Sequence, residues 1–245
     1  MSKQFSNLGI STPILNALSD LKIVVPTEIQ QKTIPLLLAN TTDLVGLAKT
    51  GTGKTAAFGL PILQLIDTSL PVVQAVILVP TRELGHQIFK NLEDFAKYLP
   101  EVSIAATCGG IPIKPQIERL ASPTHVVVAT PGRLIDLIQR KAVNLKETKF
   151  LVLDEADEMV TILKEGLDEI IAELPDGSSI IIFNSSSPHS TFHNFLSKFL
   201  AFFLTSSSSA LSLSLSKIFL NLSSNPSTLE TYPSEATPGS TLIFN

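Results

Sequence analysis

Short apolar runs recur along the front of the chain, each followed by a longer stretch that mixes apolar and polar residues. The runs are Leu44–Ala48, Ala75–Val79, Ile104–Thr107, Val126–Ala129, Phe150–Leu153 and Ile180–Phe183. They are continuous rather than alternating, as expected of strands buried on both faces. Between them apolar positions return at helical spacing. Leu84, Ile88, Leu92, Phe95 and Leu99 make one stripe, Leu134, Leu137 and Ile138 a second, and Leu167, Ile170, Ile171 and Leu174 a third. Residues 56–66 predict a further helix. Strand–helix alternation predicts an α/β fold: a parallel sheet with right-handed crossovers and helices on both faces. Ligands in such folds lie at the carboxyl ends of the strands, so chemistry is sought there.

The pattern changes near residue 176. Only five of the 40 charged residues follow it, together with 8 of the 13 Phe and 19 Ser. Charged residues are 16% of the whole chain, against about 25% in an average globular protein. The mean hydropathy of +0.32 is therefore partly a property of the tail. In the tail Phe192, Phe195, Leu196, Phe199, Leu200 and Phe203 recur at helical spacing. This segment predicts a helix that covers the sheet edge. A membrane-surface helix is the alternative, but only Lys198 is basic there, so no membrane partner is expected. Leu211, Leu213 and Leu215 alternate with Ser as in a half-buried strand, and 221–240 reads as a loose linker. The expected organisation is one α/β domain over 1–205, a Ser-rich low-complexity linker over 206–240, and the first strand of a further domain at 241–245.

A net charge of -4 gives no long-range attraction for nucleic acid, so any such binding must be local. One cysteine, Cys108, excludes an intrachain disulfide and a multi-cysteine zinc site. With no signal-peptide pattern at the start, a reducing, cytoplasmic setting is expected.

The first strand end carries a phosphate loop. Leu44–Ala48 runs into Lys49-Thr50-Gly51-Thr52-Gly53-Lys54-Thr55 and then an apolar helix. Gly51 and Gly53 let backbone N–H groups turn toward phosphate oxygens, and the helix start adds its positive dipole end. Lys54 reaches phosphates and the Thr55 hydroxyl ligates Mg²⁺ in such loops. The fifth strand ends in Asp154-Glu155-Ala156-Asp157. An acidic pair after a buried strand supplies a metal-binding carboxylate, Asp154, and a base for water, Glu155. A plain glycine turn and an acidic helix start are the bland readings; their joint occurrence argues against both.

At these residues the chain resembles the DEAD-box ATP-dependent RNA helicases, of bacterial type. Ala48 at the start of the loop, where a generic P-loop has Gly, is the usual residue of that family. Pro80-Thr81-Arg82-Glu83-Leu84 matches motif Ia, with Gly85 where Ala is common. Gly109-Gly110 matches the GG motif, and Thr130-Pro131-Gly132-Arg133 matches motif Ib. Pro26-Thr27-Glu28-Ile29-Gln30 matches the core of the Q motif, and Phe5 stands where the family keeps an isolated aromatic. The resemblance covers about residues 5–175.

It implies a RecA-like domain that binds ATP and Mg²⁺ and hydrolyses ATP to remodel RNA duplexes. Gln30 would read the adenine through an amide that donates and accepts at once. Thr27 would support the loop and Ile23 would touch the base, with Phe5 nearby. Family members usually have Gly and an aromatic at Lys22 and Ile23. Pro80, Thr81, Arg82, Glu83, Gly109, Gly110, Thr130, Pro131, Gly132 and Arg133 would form a track for the RNA backbone without reading bases. Arg82 and Arg133 would add charge-assisted contacts. Thr81 and Thr130 also sit where helix caps are expected.

Two departures from the family bear on turnover. Its coupling motif, Ser-Ala-Thr, is here Asn184-Ser185-Ser186, which the resemblance pairs with Asp157. The arginine motifs of a second RecA-like domain are missing, and no Arg follows Arg140. An ATP-dependent RNA- or partner-binding module without turnover is therefore the alternative. A P-loop NTPase that binds no nucleic acid is a third reading, opposed by Gln30 and the three RNA motifs.

Overall fold

The computed structural model describes residues 3–39, 43–49, 51–163, 166–184 and 241–244. In chain order the elements are α1 (Lys3–Ser6), α2 (Thr12–Asp20), α3 (Glu28–Ala39), β1 (Asp43–Leu47), α4 (Lys54–Leu65) and β2 (Ala75–Leu78). There follow α5 (Arg82–Phe95), β3 (Ile104–Thr107), α6 (Lys114–Leu120), β4 (Val126–Ala129) and α7 (Pro131–Gln139). The last are β5 (Phe150–Asp154), α8 (Ala156–Leu163), α9 (Leu167–Ala172), β6 (Ser179–Asn184) and β7 (Thr241–Phe244).

The strands form one sheet in the order β3-β4-β2-β5-β6-β1-β7, and every pairing is parallel. Side chains alternate across a strand, so each continuous apolar run supplies two cores at once. Leu44, Ile77, Val128, Val152 and Ile181 pack with Phe5, Ile14, Leu37, Phe58 and Leu92 on one side. Val45, Leu78, Val127, Leu153 and Ile182 pack with Leu134, Met159, Leu167 and Ile170 on the other. The predicted helical stripes are the buried faces: Ile88, Leu92 and Phe95 of α5, Leu134 and Leu137 of α7. On β6, Phe183 lies opposite Gly46 of β1, and its ring comes within 2.5 Å of where a Cβ on Gly46 would stand. Its centroid is 5.6 Å from that of Phe58 in α4. A buried ring of this size contributes roughly 1.5–3 kcal/mol, and this one ties the P-loop strand to the P-loop helix.

The segment read as the first strand of a further domain is a strand here. Thr241–Phe244 pairs with β1 at the outer edge of this sheet, Asp43 opposite Thr241 and Gly46 opposite Phe244. The physical reason is that β1 would otherwise present unpaired N–H and C=O groups along one edge, and an apolar extended segment satisfies them. The predicted helix at Phe192–Phe203, the Leu211–Leu215 alternation and the 206–240 linker lie outside the described residues, as do Thr50, Ser185 and Ser186. Among the described residues no helix is long and apolar enough to cross a membrane.

Candidate nucleotide and nucleic-acid sites

Strand order sorts the motifs into two groups. The loops after β1, β5 and β6 carry the P-loop, Asp154 to Asp157, and Asn184, and these strands lie together in the sheet. The loops after β3, β4 and β2 carry Gly109-Gly110, Thr130 to Arg133, and Pro80 to Glu83, and these strands also lie together. Motifs scattered over more than a hundred residues thus become two adjoining patches at the carboxyl edge, meeting where β2 pairs with β5.

In the first group Gly53 caps α4 in the left-handed region, at φ 87. A Cβ there would fall 2.3 Å from Gln30 Nε2, so glycine is required by space as well as by backbone angle. Thr52 closes the loop by donating its hydroxyl to Lys49 O at 2.7 Å, and Lys49 is exposed. A Cβ on Gly51 would meet open space. Ala48 is buried, and its N–H donates to Asn184 O at 3.0 Å, pinning the loop's entry to β6.

Lys54 is buried at 6% exposure, and among the described residues its Nζ has no hydrogen-bond partner. The nearest opposite charge is Asp154 Oδ1, 3.5 Å away. Burying an ammonium without hydrogen bonds is costly. Its site, beside the N-terminus of α4 and the open Gly51, is therefore shaped for an anion. Burial pushes the Asp154 carboxyl above its usual range, against the pull of Lys54 and of the Glu155 N–H, which donates to it at 3.1 Å. Burial likewise raises Glu155, again opposed by Lys54. Glu155 has φ 54, a conformation costly for a side-chain-bearing residue, and such strain is typical of functional positions. Thr55 is half-buried in the first turn of α4. Among the described residues no three His, Cys, Asp or Glu gather into a metal site. A divalent cation here would rest on Asp154, Thr55 and phosphate oxygens, the ligand set Mg²⁺ favours.

Gln30 is buried on α3 and both ends of its amide are engaged. Nε2 donates to Gly53 O at 3.0 Å, and Oε1 accepts from Thr27 N at 2.9 Å. The residue expected to read a base therefore also holds the loop expected to bind phosphate. Lys22 has φ 58, which explains why Gly is usual at that position. Ile23 is half-buried against the core. Phe5 is fully buried among core residues. An aromatic near the Q motif gives the same sequence signal whether it stacks on a base or packs a helix.

At the coupling position Asn184 is fully buried, and its Oδ1 accepts from the Asp157 N–H at 3.3 Å. The amide thus reaches the acidic motif in place of a hydroxyl. Its Nδ2 has no hydrogen-bond partner among the described residues.

In the second group Thr81 caps α5, accepting from Leu84 N at 3.2 Å, and Glu83 lies exposed in the first turn, where an acid suits the helix dipole. Pro80 is half-buried. Thr130 does not cap α7; its hydroxyl accepts from Gly109 N at 3.0 Å and so joins two motifs. The Arg82 guanidinium comes within 3.6 Å of where a Cβ on Gly110 would stand. Pro131 is buried, and Gly132 faces open space. Arg133, expected to add a charge-assisted contact, also has partners within the fold. Nη1 donates to Gln116 Oε1 at 2.7 Å and Nη2 to Ile111 O at 2.8 Å. Gln116, buried on α6, in turn donates from Nε2 to Cys108 O at 3.0 Å. A lone Gln in a polar stretch carries no sequence signal for this place. Cys108 is buried with its thiol raised by that burial, as an ordinary packing residue would be.

A DEAD/DEAH box helicase family model matches residues 27–195. The ATP-dependent RNA helicase DeaD of Escherichia coli (strain K12) is 42% identical over 185 residues, 75% of this chain and 29% of that protein. The DEAD-box ATP-dependent RNA helicase CshA of Streptococcus pneumoniae serotype 4 is 41% identical over 186 residues, 76% of this chain and 35% of that one. The chain thus spans about a third of the length of the curated relatives it matches. A DEAD box protein from the hyperthermophile Methanococcus jannaschii superposes with a TM-score of 0.70 at 36% identity, over 78% of this chain and 52% of that one. Saccharomyces cerevisiae Dbp5 bound to RNA and ADP BeF3 gives 0.71 at 28% identity, over 80% and 50%. The α/β sheet is accordingly that of the RecA-like domain of DEAD-box proteins. With 27–195 matched and both motif groups in place along the sheet edge, the chain belongs to the DEAD/DEAH box helicase family.

Proposed function

We propose that this chain is the ATP-binding half of an ATP-dependent RNA helicase. Residues 48–55 hold the phosphates, with Lys54 supplying the buried charge and Thr55 and Asp154 holding Mg²⁺. The bound Mg²⁺ would offset charge on the phosphate oxygens. Gln30 reads the adenine while fixing Gly53. Glu155, whose carboxyl is raised by burial, orients water and takes its proton. Asn184 links this group to β6 through the Asp157 N–H. The loops after β2, β3 and β4 receive an RNA backbone, and a second RecA-like domain is the partner that closes over both sites. A cytoplasmic setting accompanies this reading.

The observation that carries it is the Lys54 ammonium, buried at the start of α4 beside Asp154 and without a hydrogen bond among the described residues. Arginines supplied from outside a P-loop site contribute about 10³ to 10⁵ in rate in related NTPases. Turnover by this chain alone is therefore slow. The test is ATP hydrolysis by the purified chain with and without RNA, and Glu155→Gln as control. Slow hydrolysis lost in Glu155→Gln supports the reading. Hydrolysis indifferent to Glu155 overturns it. Tight RNA-dependent ATP binding with no hydrolysis at all favours the binding module, a reading that the altered Asn184 position supports.

A further inference from the structure

We infer that Gln116 is a positioning residue for the RNA track, acting through Arg133. The inference rests on the RNA-backbone reading of the loops after β3 and β4. Gln116 lies on α6, outside every motif of the sequence, yet it is 5% exposed and both ends of its amide are spent within the track. Its Oε1 accepts from Arg133 Nη1 at 2.7 Å, and its Nε2 donates to Cys108 O at 3.0 Å, one residue before Gly109. Arg133 Nη2 donates to Ile111 O at 2.8 Å, one residue after Gly110. Gly109 N donates to Thr130 Oγ1 at 3.0 Å, three residues before Arg133. The glycine turn is thus held on one flank by Gln116 of α6, and on the other flank and at Gly109 by the start of α7.

A guanidinium has five N–H donors in one rigid plane. Two directions are set by Gln116 and Ile111, so the orientation of the remaining donors is set with them. An Arg held by neighbours loses less rotamer entropy when a phosphate arrives than one free in solvent. Gln suits this position because it accepts from the cation while remaining neutral. A carboxylate would bind Arg133 as an ion pair and compete with phosphate for it. The ligand class is the phosphodiester backbone of single-stranded RNA.

The test measures binding of a fluorescently labelled oligouridylate to the full chain across a range of salt. Wild type is compared with Arg133→Ala, Gln116→Met and the double variant. Arg133→Ala is expected to weaken binding about tenfold and to reduce the salt slope by about 0.7, the loss of one phosphate contact on a single strand. Gln116→Met, close in shape and without polar atoms, should do the same, and the double variant should bind no more weakly than either single. Gln116→Glu, which keeps a partner for Arg133, decides the matter if the Met variant does not fold, and should weaken binding as well. Wild-type binding by a folded Gln116 variant overturns the inference while the RNA reading stands. So does a Gln116 effect that multiplies with that of Arg133→Ala, or one that lowers the unfolding midpoint without changing the salt slope. Absence of salt-dependent binding by wild type overturns the RNA reading and this inference with it.

Discussion

Gly85 fits against Cys108. Gly85 lies in the first turns of α5, where Ala is usual in the family, and a Cβ on it would fall 2.5 Å from Cys108 Sγ and 3.3 Å from Val79 Cγ2. Carbon and sulfur do not approach so closely, so Gly85→Ala must push the thiol or shift the helix. Overpacking of a core costs about 1–3 kcal/mol. Against this, replacing Gly by Ala inside a helix gains about 0.8–1 kcal/mol. The crowding term is the larger over most of that range, and Gly85→Ala is expected to destabilise the chain, by up to roughly 2 kcal/mol. Cys108→Ala removes a buried sulfur and leaves a small void, a loss on the order of 1 kcal/mol. The double variant fills that void with the new methyl group and keeps the helix gain. It should be as stable as wild type, which requires a favourable coupling of about 1–3 kcal/mol. Urea unfolding of the four proteins measures this directly. Coupling below about 0.5 kcal/mol, the range of independent sites, would refute the proposed complementarity.

Two further outcomes follow from single residues. Lys22→Gly should raise stability by about 1–2 kcal/mol, because φ 58 costs an L-residue about that much, and an unchanged urea midpoint would count against strain there. His125 is buried, accepts from Ser103 N at Nδ1 (2.9 Å), and is held by burial below its ordinary 6.5, against the opposing pull of Asp67. With the folded value depressed, the neutral ring's contribution is complete above pH 6.5 and is lost as pH falls below it. Unfolding free energy should therefore decline more steeply from pH 6.5 downward in wild type than in His125→Asn; parallel profiles would contradict this.

What could be read from the sequence follows from where the information lies. Runs such as Val126–Ala129 and Phe150–Leu153 are buried on both faces, so apolarity alone marks them. The P-loop is legible because its parts are contiguous: Gly53, Lys54 and the α4 start are neighbours in the chain. Gln116 was not legible because its importance comes from Cys108 and Arg133, 8 and 17 residues away, brought together by β3 and β4. Phe5 and Arg133 were legible as residues but not in their partners. Whether an aromatic packs a core or faces a ligand, and whether a cation is spent within the fold, are questions of packing. Thr81 and Thr130 make the same point: both precede a helix in the same local pattern, and only Thr81 caps. The strand at 241–244 was recognisable as a strand, while its place beside β1 is set by an edge 198 residues earlier in the chain.

The central claim is that Lys54, Gly53 and Gln30 form one nucleotide site, phosphate at one end and base at the other. Equilibrium titration of the chain with ATP and with GTP, in Mg²⁺, tests it most directly, with Lys54→Ala and Gln30→Leu alongside. The account predicts that wild type prefers ATP, that Lys54→Ala binds neither nucleotide, and that Gln30→Leu weakens ATP and narrows the preference. Equal affinity of wild type for the two nucleotides, or ATP binding by Lys54→Ala at wild-type strength, would contradict it.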